Sequence, residues 1–188
     1  MIAIGSFGFF QHWQASQAAR PDYNNPAASQ APSKPSGAAP QSEMWQVVSI
    51  FDGDTFTVKD GWKPETIRVC GTDAPEPEQP LGEAAKEKLR SLIQAAGNQV
   101  IVFPIEKDRD GSTVGEVFIK ASTPEQPEQE RSINYEMVAS GLAYEYTRYS
   151  GSCPNREAIN QAERLAQSKH LGVWGGNYQR PWDYRKQQ

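Results

Sequence analysis

Trp45-Gln46-Val47-Val48-Ser49-Ile50-Phe51-Asp52-Gly53-Asp54-Thr55-Phe56-Thr57-Val58-Lys59 decides how this chain starts to fold. Apolar and polar residues alternate from Trp45 to Ile50 and again from Thr55 to Lys59, the period of a half-buried strand. Asp52-Gly53 stands between the runs, and Asp and Gly both tolerate the backbone of a tight reversal. The stretch therefore predicts a β-hairpin. Downstream, Asp60-Gly61 marks the next turn and Thr66 to Cys70 reads as a third strand. Pro75, Pro77 and Pro80 then impose an irregular loop, because each proline fixes φ and removes a donor.

Gly82 to Ala96 is predicted helical, with Ala85, Leu89, Leu92, Ile93 and Ala96 on one face and Gly97-Asn98 as its stop. Val100 to Ile105 gives a fourth strand, Asp108 to Gly111 a turn, and Thr113 to Lys120 a fifth strand with Val114, Val117 and Ile119 among its apolar residues. Helices are expected over Ile133 to Ser140 and Asn155 to His170, the second carrying Ile159, Ala162, Leu165 and Ala166 at helical spacing. Leu171-Gly172-Val173-Trp174 reads as a C-cap glycine followed by an anchoring aromatic. Five short strands with a helix after the third imply an α+β, mainly β fold. The expected architecture is a five-stranded OB-fold (oligonucleotide-binding) barrel with about three packed α-helices. No internal repeat is visible.

A chain of 188 residues suffices for one domain with a core plus an appendage. Residues 1–43 read as a leader or linker, since Ala15 to Gln41 is mostly Ala, Ser, Gln, Pro and Asn. The apolar patch Ile2 to Phe10, followed by Ser16-Gln17-Ala18, resembles the remnant of an export signal or anchor, although no Lys or Arg precedes Arg20. The expected location is exported, periplasmic or extracellular, or membrane-tethered by the N-terminus, with a cytoplasmic protein as the alternative. The folded domain is expected over 44–188. No apolar run approaches the roughly 18 residues that a spanning helix needs. Arg20, Lys34, Asp22 and Glu43 cancel, leaving 17 Lys+Arg against 21 Asp+Glu in the domain. Such an acidic domain does not capture nucleic acid by bulk charge, though a local basic groove remains open to it. Two cysteines cannot form a four-thiolate zinc site and two histidines leave little room for a His-rich cluster, so any metal would be held mainly by oxygen.

Two clusters carry chemistry: Asp52-Gly53-Asp54-Thr55, and Arg68-Val69-Cys70-Gly71-Thr72-Asp73-Ala74-Pro75-Glu76. Singly, each has a bland reading: a hairpin turn, a salt-bridged strand arginine, a solvated loop glutamate. Together they change the picture. With the Asp108 to Gly111 turn and the closing Leu-Gly-Val-Trp, they follow one another in the order of a known family. From about Trp45 to Trp174 the chain resembles the staphylococcal nuclease (thermonuclease) family.

The resemblance implies a metal-dependent endonuclease that hydrolyses phosphodiester bonds of DNA or RNA, single- or double-stranded, with little sugar or sequence specificity. Hydrolysis needs a base for the attacking water and cations for the charge that grows on phosphorus-bound oxygens. By the family pattern, Asp54 and Asp73 bind a divalent cation with the backbone carbonyl of Ala74. Oxygen donors of this kind suit calcium, with magnesium or manganese as alternatives. Glu76 acts as general base or orients the water, and Arg68 holds the scissile phosphate through paired N–H donors. Tyr146, Arg148 and Tyr149 are candidate substrate contacts, with packing between helix and barrel as the other reading of the tyrosines. No stable protein partner is implied, and a monomer is expected.

One departure matters. The family turn usually runs Asp-x-Tyr-Gly-Arg, and this chain has Asp108-Arg109-Asp110-Gly111-Ser112. Ser112 cannot supply the second arginine's charge, and loss of one such donor commonly costs about 100- to 1,000-fold in rate. Arg109 or Arg148 could compensate, the enzyme could be slow, or the domain could be a noncatalytic module gripping nucleic acid or protein. Cys70 and Cys153 would pair if the protein is exported; otherwise Cys70 is a buried apolar residue and Cys153 a free thiol. Arg180-Pro181-Trp182-Asp183-Tyr184-Arg185-Lys186 either touches substrate or packs Trp182 against the barrel. Glu157 and Arg164 are expected on the solvated face of the last helix.

Overall fold

The structure, a computed structural model, describes residues 43–60, 62–121 and 129–188. Residues 1–42 and Gly61 of the Asp60-Gly61 turn lie outside the described residues, and Glu43, read from the sequence as the last leader residue, instead opens the first strand.

The opening hairpin pairs β1 (Glu43–Ile50) with β2 (Thr55–Asp60), and β2 continues antiparallel into β3 (Lys63–Val69). Alternation slips once in β1. A bulge between Val47 and Ser49 leaves Val48 47% exposed, while Val47 packs on the core. The two-residue β4 (Thr72–Asp73) follows, then α1 (Gly82–Ala95), β5 (Gln99–Lys107) and β6 (Thr113–Ala121). β5 pairs with both β1 and β6, and β6 returns to lie parallel to β3 through Ile67–Thr113, Arg68–Val114 and Val69–Gly115. That last pairing closes the five strands into a barrel and removes the open edges a sheet would leave.

Alternate residues of the barrel strands fill its interior: Phe56, Val58, Ile67, Val69, Val100, Val102, Val117 and Ile119 are all buried. Ala85, Leu89, Leu92 and Ile93 of α1 join this core, as the sequence pattern requires, and Ala96 packs at its margin. After β7 (Gln129–Ser132), α2 (Ile133–Ala139) adds Ile133, Met137 and Val138, and the Ser132 hydroxyl caps its N-terminus by accepting from the Tyr135 N–H. β8 (Tyr144–Glu145) pairs with β4, and α3 (Arg156–Ser168) packs through Ile159, Ala162 and Ala166 with Leu165 half-buried. Glu157 and Arg164 face solvent and pair with each other. A short α4 (Pro181–Tyr184) ends the fold, with Pro181 at its first turn.

The reading of Gly172 as the cap of the last helix needs correction. The left-handed position after α3 belongs to His170, at φ +52°, with the Leu171 N–H donating to Ala166 O across the helix end. Gly172 serves a different need: a Cβ there would lie 2.0 Å from the Gly141 oxygen. Its missing side chain lets two loops touch, and the Val173 N–H donates to Gly141 O.

Cys70 and Cys153 form a disulfide, joining the end of β3 to the segment before α3. Between them, the buried Asn134 amide donates to Cys70 O and accepts from the Val117 N–H. Barrel and helices are thereby fastened where the chain leaves β3 for the loop that carries Asp73.

Candidate active site

The hairpin turn is built by Asp52, whose Oδ1 accepts from the backbone N–H groups of Asp54, at 2.9 Å, and Thr55, at 2.7 Å. Such Asx geometry satisfies donors that the turn would otherwise strand. Gly53 is required by its surroundings, because a Cβ would lie 2.7 Å from both the Ala74 and the Ala85 methyls. The turn thus presses directly on the 73–76 loop and on α1. Asp54, 3% exposed, then accepts from Ala74 N at 2.7 Å and from the Thr55 hydroxyl at 2.8 Å. Two segments twenty residues apart are locked together by one carboxylate.

Asp73, also 3% exposed, sits beside Asp54 at the end of the β4–β8 ladder. Arg68 reaches the same cluster from β3, where it pairs in register with Thr55 and Val114. Glu76 lies where the proline loop turns, its N–H donating to the Gln79 side chain at 3.0 Å. The structure therefore brings together the four side chains the motifs single out, with Ala74 between them.

A fifth group occupies the same place. Arg185, 112 residues beyond Asp73, donates Nη1 to Asp73 Oδ1 at 2.9 Å and Nη2 to Oδ2 at 2.8 Å, and it also pairs with Glu76. Bidentate contact with a buried carboxylate is the strongest form such a pair takes. The anchor is an aromatic cluster. The Arg180 guanidinium lies 4.0 Å from the Tyr144 ring centroid and 4.4 Å from that of Trp174, and Trp182 stacks on Tyr146 at 5.3 Å. Gln79 completes it, donating to Gln179 O at 2.9 Å while its oxygen holds the Glu76 N–H.

The electrostatics follow from crowding three carboxylates in little water. Burial pushes the Asp73 carboxyl up to about 6; the Arg185 hydrogen bonds oppose this and the Asp54 charge reinforces it. Burial and the Asp54 charge raise Asp52 to about 7 against the two backbone bonds it accepts. For Arg68, burial works against the charge, but Asp54, Asp52 and Asp73 outweigh it and raise the guanidinium above its ordinary value. Carboxylates raised by burial and by a neighbouring negative charge are stabilised by a positive charge placed beside them.

The other candidates lie elsewhere. Arg109 is 92% exposed and pairs with its neighbour Asp110 at 3.6 Å, so it does not compensate for Ser112 in this arrangement. Ser112 donates its N–H to the Asp108 side chain and borders a shallow depression of about 260 Å³ lined also by Lys63, Glu65 and Lys107. Arg148 leans over Tyr149, 5.5 Å from the ring centroid, and Tyr149 is 53% exposed. Tyr146 has one face covered by Trp182, which is the packing alternative for that ring, and Trp182 also meets the Tyr144 ring of β8 edge-on. Sequence reasoning passed over Arg185 itself. The signal was present in the mixed basic and aromatic run ending at Lys186, but nothing in it says which of the basic residues turns inward.

Residues 66–176 match the family described as staphylococcal nuclease homologue. The chain is 35% identical to a micrococcal nuclease of Shigella flexneri over 142 residues, covering 75% of this chain and 79% of that one. It is 33% identical to protein ParB of Escherichia coli over 143 residues, 76% and 78% of the two chains. An "uncharacterized endonuclease" of Haemophilus influenzae is 32% identical over 155 residues, 81% and 79%. On the barrel, the order of its motifs and these matches together, the chain belongs to the staphylococcal nuclease homologue family.

Proposed function

We propose that this protein is a metal-dependent endonuclease of thermonuclease type, hydrolysing phosphodiester bonds of DNA and RNA with little sugar or sequence specificity. One observation carries the reading: two buried aspartates, Asp54 and Asp73, share a cluster with Arg68 and Glu76. A hairpin turn or a structural ion pair needs only one of these groups.

The donor set fits a hard divalent cation. Asp54 and Asp73 would offer oxygen ligands and Ala74 a carbonyl, while among the described residues no third carboxylate, His or Cys is placed to join them as a ligand. Remaining positions would fall to water and a phosphate oxygen, as calcium accepts readily and magnesium or manganese also allow. Such a cation, when bound, supplies positive charge to the phosphate. The chain's own residues do the rest. Glu76 accepts the proton of the attacking water, and Arg68 donates paired N–H groups to the non-bridging oxygens as negative charge accumulates there. The noncatalytic alternative raised by Ser112 loses weight, because a guanidinium other than Arg68 is present in the cluster.

The Cys70–Cys153 bond supports an oxidising compartment, hence export, since such bonds persist outside the reducing cytosol. A monomer without a stable protein partner accords with a site built from one chain.

The test is digestion of single-stranded DNA and of RNA with calcium, magnesium, manganese or EDTA. Cleavage confined to a divalent cation, and reduced about 100-fold or more in Glu76→Gln, is the expected result. Binding without turnover under every condition would favour the module.

A further inference from the structure

We propose that Arg185 is the second phosphate-binding cation of this site, supplying from the C-terminal segment the guanidinium that Ser112 lacks. The inference rests on the nuclease reading and adds a residue to it.

Three observations converge. First, Arg185 is the basic side chain in contact with both Asp73 and Glu76, whereas Arg109 pairs outward with Asp110 and Arg148 lies over Tyr149. Second, it is presented by a built support. Arg180 is caged by Tyr144 and Trp174, Trp182 stacks on Tyr146, Pro181 is buried, and Gln79 ties Gln179 to the backbone of Glu76. An arginine that merely neutralised a surface carboxylate would need no such frame, since exposed pairs of that kind contribute little. Third, Arg185 and Arg68 approach closely enough for each to feel the other's charge. The carboxylates around them outweigh the repulsion between the two guanidiniums, so both can stay in the cluster, and the non-bridging oxygens of a phosphate diester can accept from both.

The N–H groups that Arg185 now spends on Asp73 are the ones that become available to phosphate oxygens once that carboxylate has another cation to serve. Their planar, paired geometry suits phosphate as well as carboxylate, which a lysine cannot reproduce. The guanidinium thus comes from a segment far from Ser112 in sequence, over a hundred residues from the carboxylates it meets.

The experiment compares the full chain with Arg185→Ala, Arg185→Lys and the control Lys186→Ala, whose side chain faces solvent and pairs with Asp183. Two readouts are taken: single-turnover cleavage of single-stranded DNA with calcium, and the affinity of a cleavage-resistant phosphorothioate oligonucleotide, also with calcium, across a salt series. Melting temperatures are measured alongside, and Arg185→Lys preserves the charge opposite Asp73 should the alanine variant unfold. The expected result is a fall in turnover of about 100- to 1,000-fold for Arg185→Ala. Weaker oligonucleotide binding should accompany it, with a salt slope shallower by about 0.7. Arg185→Lys should recover binding more than turnover, and Lys186→Ala should match the parent. Turnover in Arg185→Ala equal to or faster than the parent would overturn the proposal and make Arg185 a plug on the carboxylates. A parent that cleaves nothing in any cation would overturn the nuclease reading instead. The binding arm then judges Arg185 alone, and an affinity unchanged by Arg185→Ala overturns its role.

Discussion

Asp54 does two jobs with two oxygens: it fastens the hairpin turn to the loop bearing Asp73, and it contributes charge to the cluster. Asp73 has the charge but not the fastening, because its partners are the side chains of Arg185. The substitution Asp73→Asn therefore separates the functions more cleanly than a change at Asp54. With calcium, the parent is expected to melt at a higher temperature, and Asp73→Asn should leave the fold in place and abolish that rise, which differential scanning fluorimetry reads directly. An undiminished calcium shift in Asp73→Asn would mean that the cation binds elsewhere. Four of the site residues were legible from the chain because each lies in a short motif with fixed spacing. Arg185 was not legible. Its partners are 109 and 112 residues away, and the aromatic rings that hold Arg180, five residues before it, are gathered only by folding.

At the scale of elements, long periodic segments declared themselves and short ones did not. The hairpin, α1 and α3 each carry enough turns of one period to be read, and their buried faces fall where the pattern puts them. β4 and β8 are two residues each, too short for any alternation to show, yet their pairing is what sets Asp73 in place. β7, Gln-Glu-Arg-Ser, carries no apolar residue at all. Where β6 meets α3, Glu116 is 8% exposed and accepts the Asn155 N–H, and burial raises its carboxyl above the ordinary 4.5. The native chain thus holds that proton more tightly than the unfolded one. Its contribution to stability is fully present below pH 4.5 and is lost as pH rises through the folded value. Replacing it by Gln removes the loss while keeping an acceptor for Asn155. Melting temperatures of Glu116→Gln and the parent should agree near pH 4 and diverge in favour of the variant by pH 7. An offset that does not change with pH would contradict this account of the glutamate.

For the molecule as a whole, the Cys70–Cys153 bond closes a loop of 83 residues across barrel and helices. The chain-entropy model assigns such a loop about 4 to 5 kcal/mol of stability, taken from the unfolded state. Cys70→Ala with Cys153→Ala should lower the unfolding free energy by an amount of that order, read by urea titration with tryptophan fluorescence. Reductant should do the same to the parent and nothing further to the variant. The net charge of the domain is negative, yet the site gathers two guanidiniums. That local pairing of cations with carboxylates is invisible in composition.

The most direct trial of the whole account is a single-turnover time course on one end-labelled single-stranded oligonucleotide, run for the parent and for Glu76→Gln. The parent should cleave with calcium, stop on addition of excess EDTA and resume when calcium is restored, while Glu76→Gln binds the strand but lags by about two orders of magnitude. Cleavage indifferent to the chelator, or equal in the two proteins, would contradict the assignment of carboxylates and base made here.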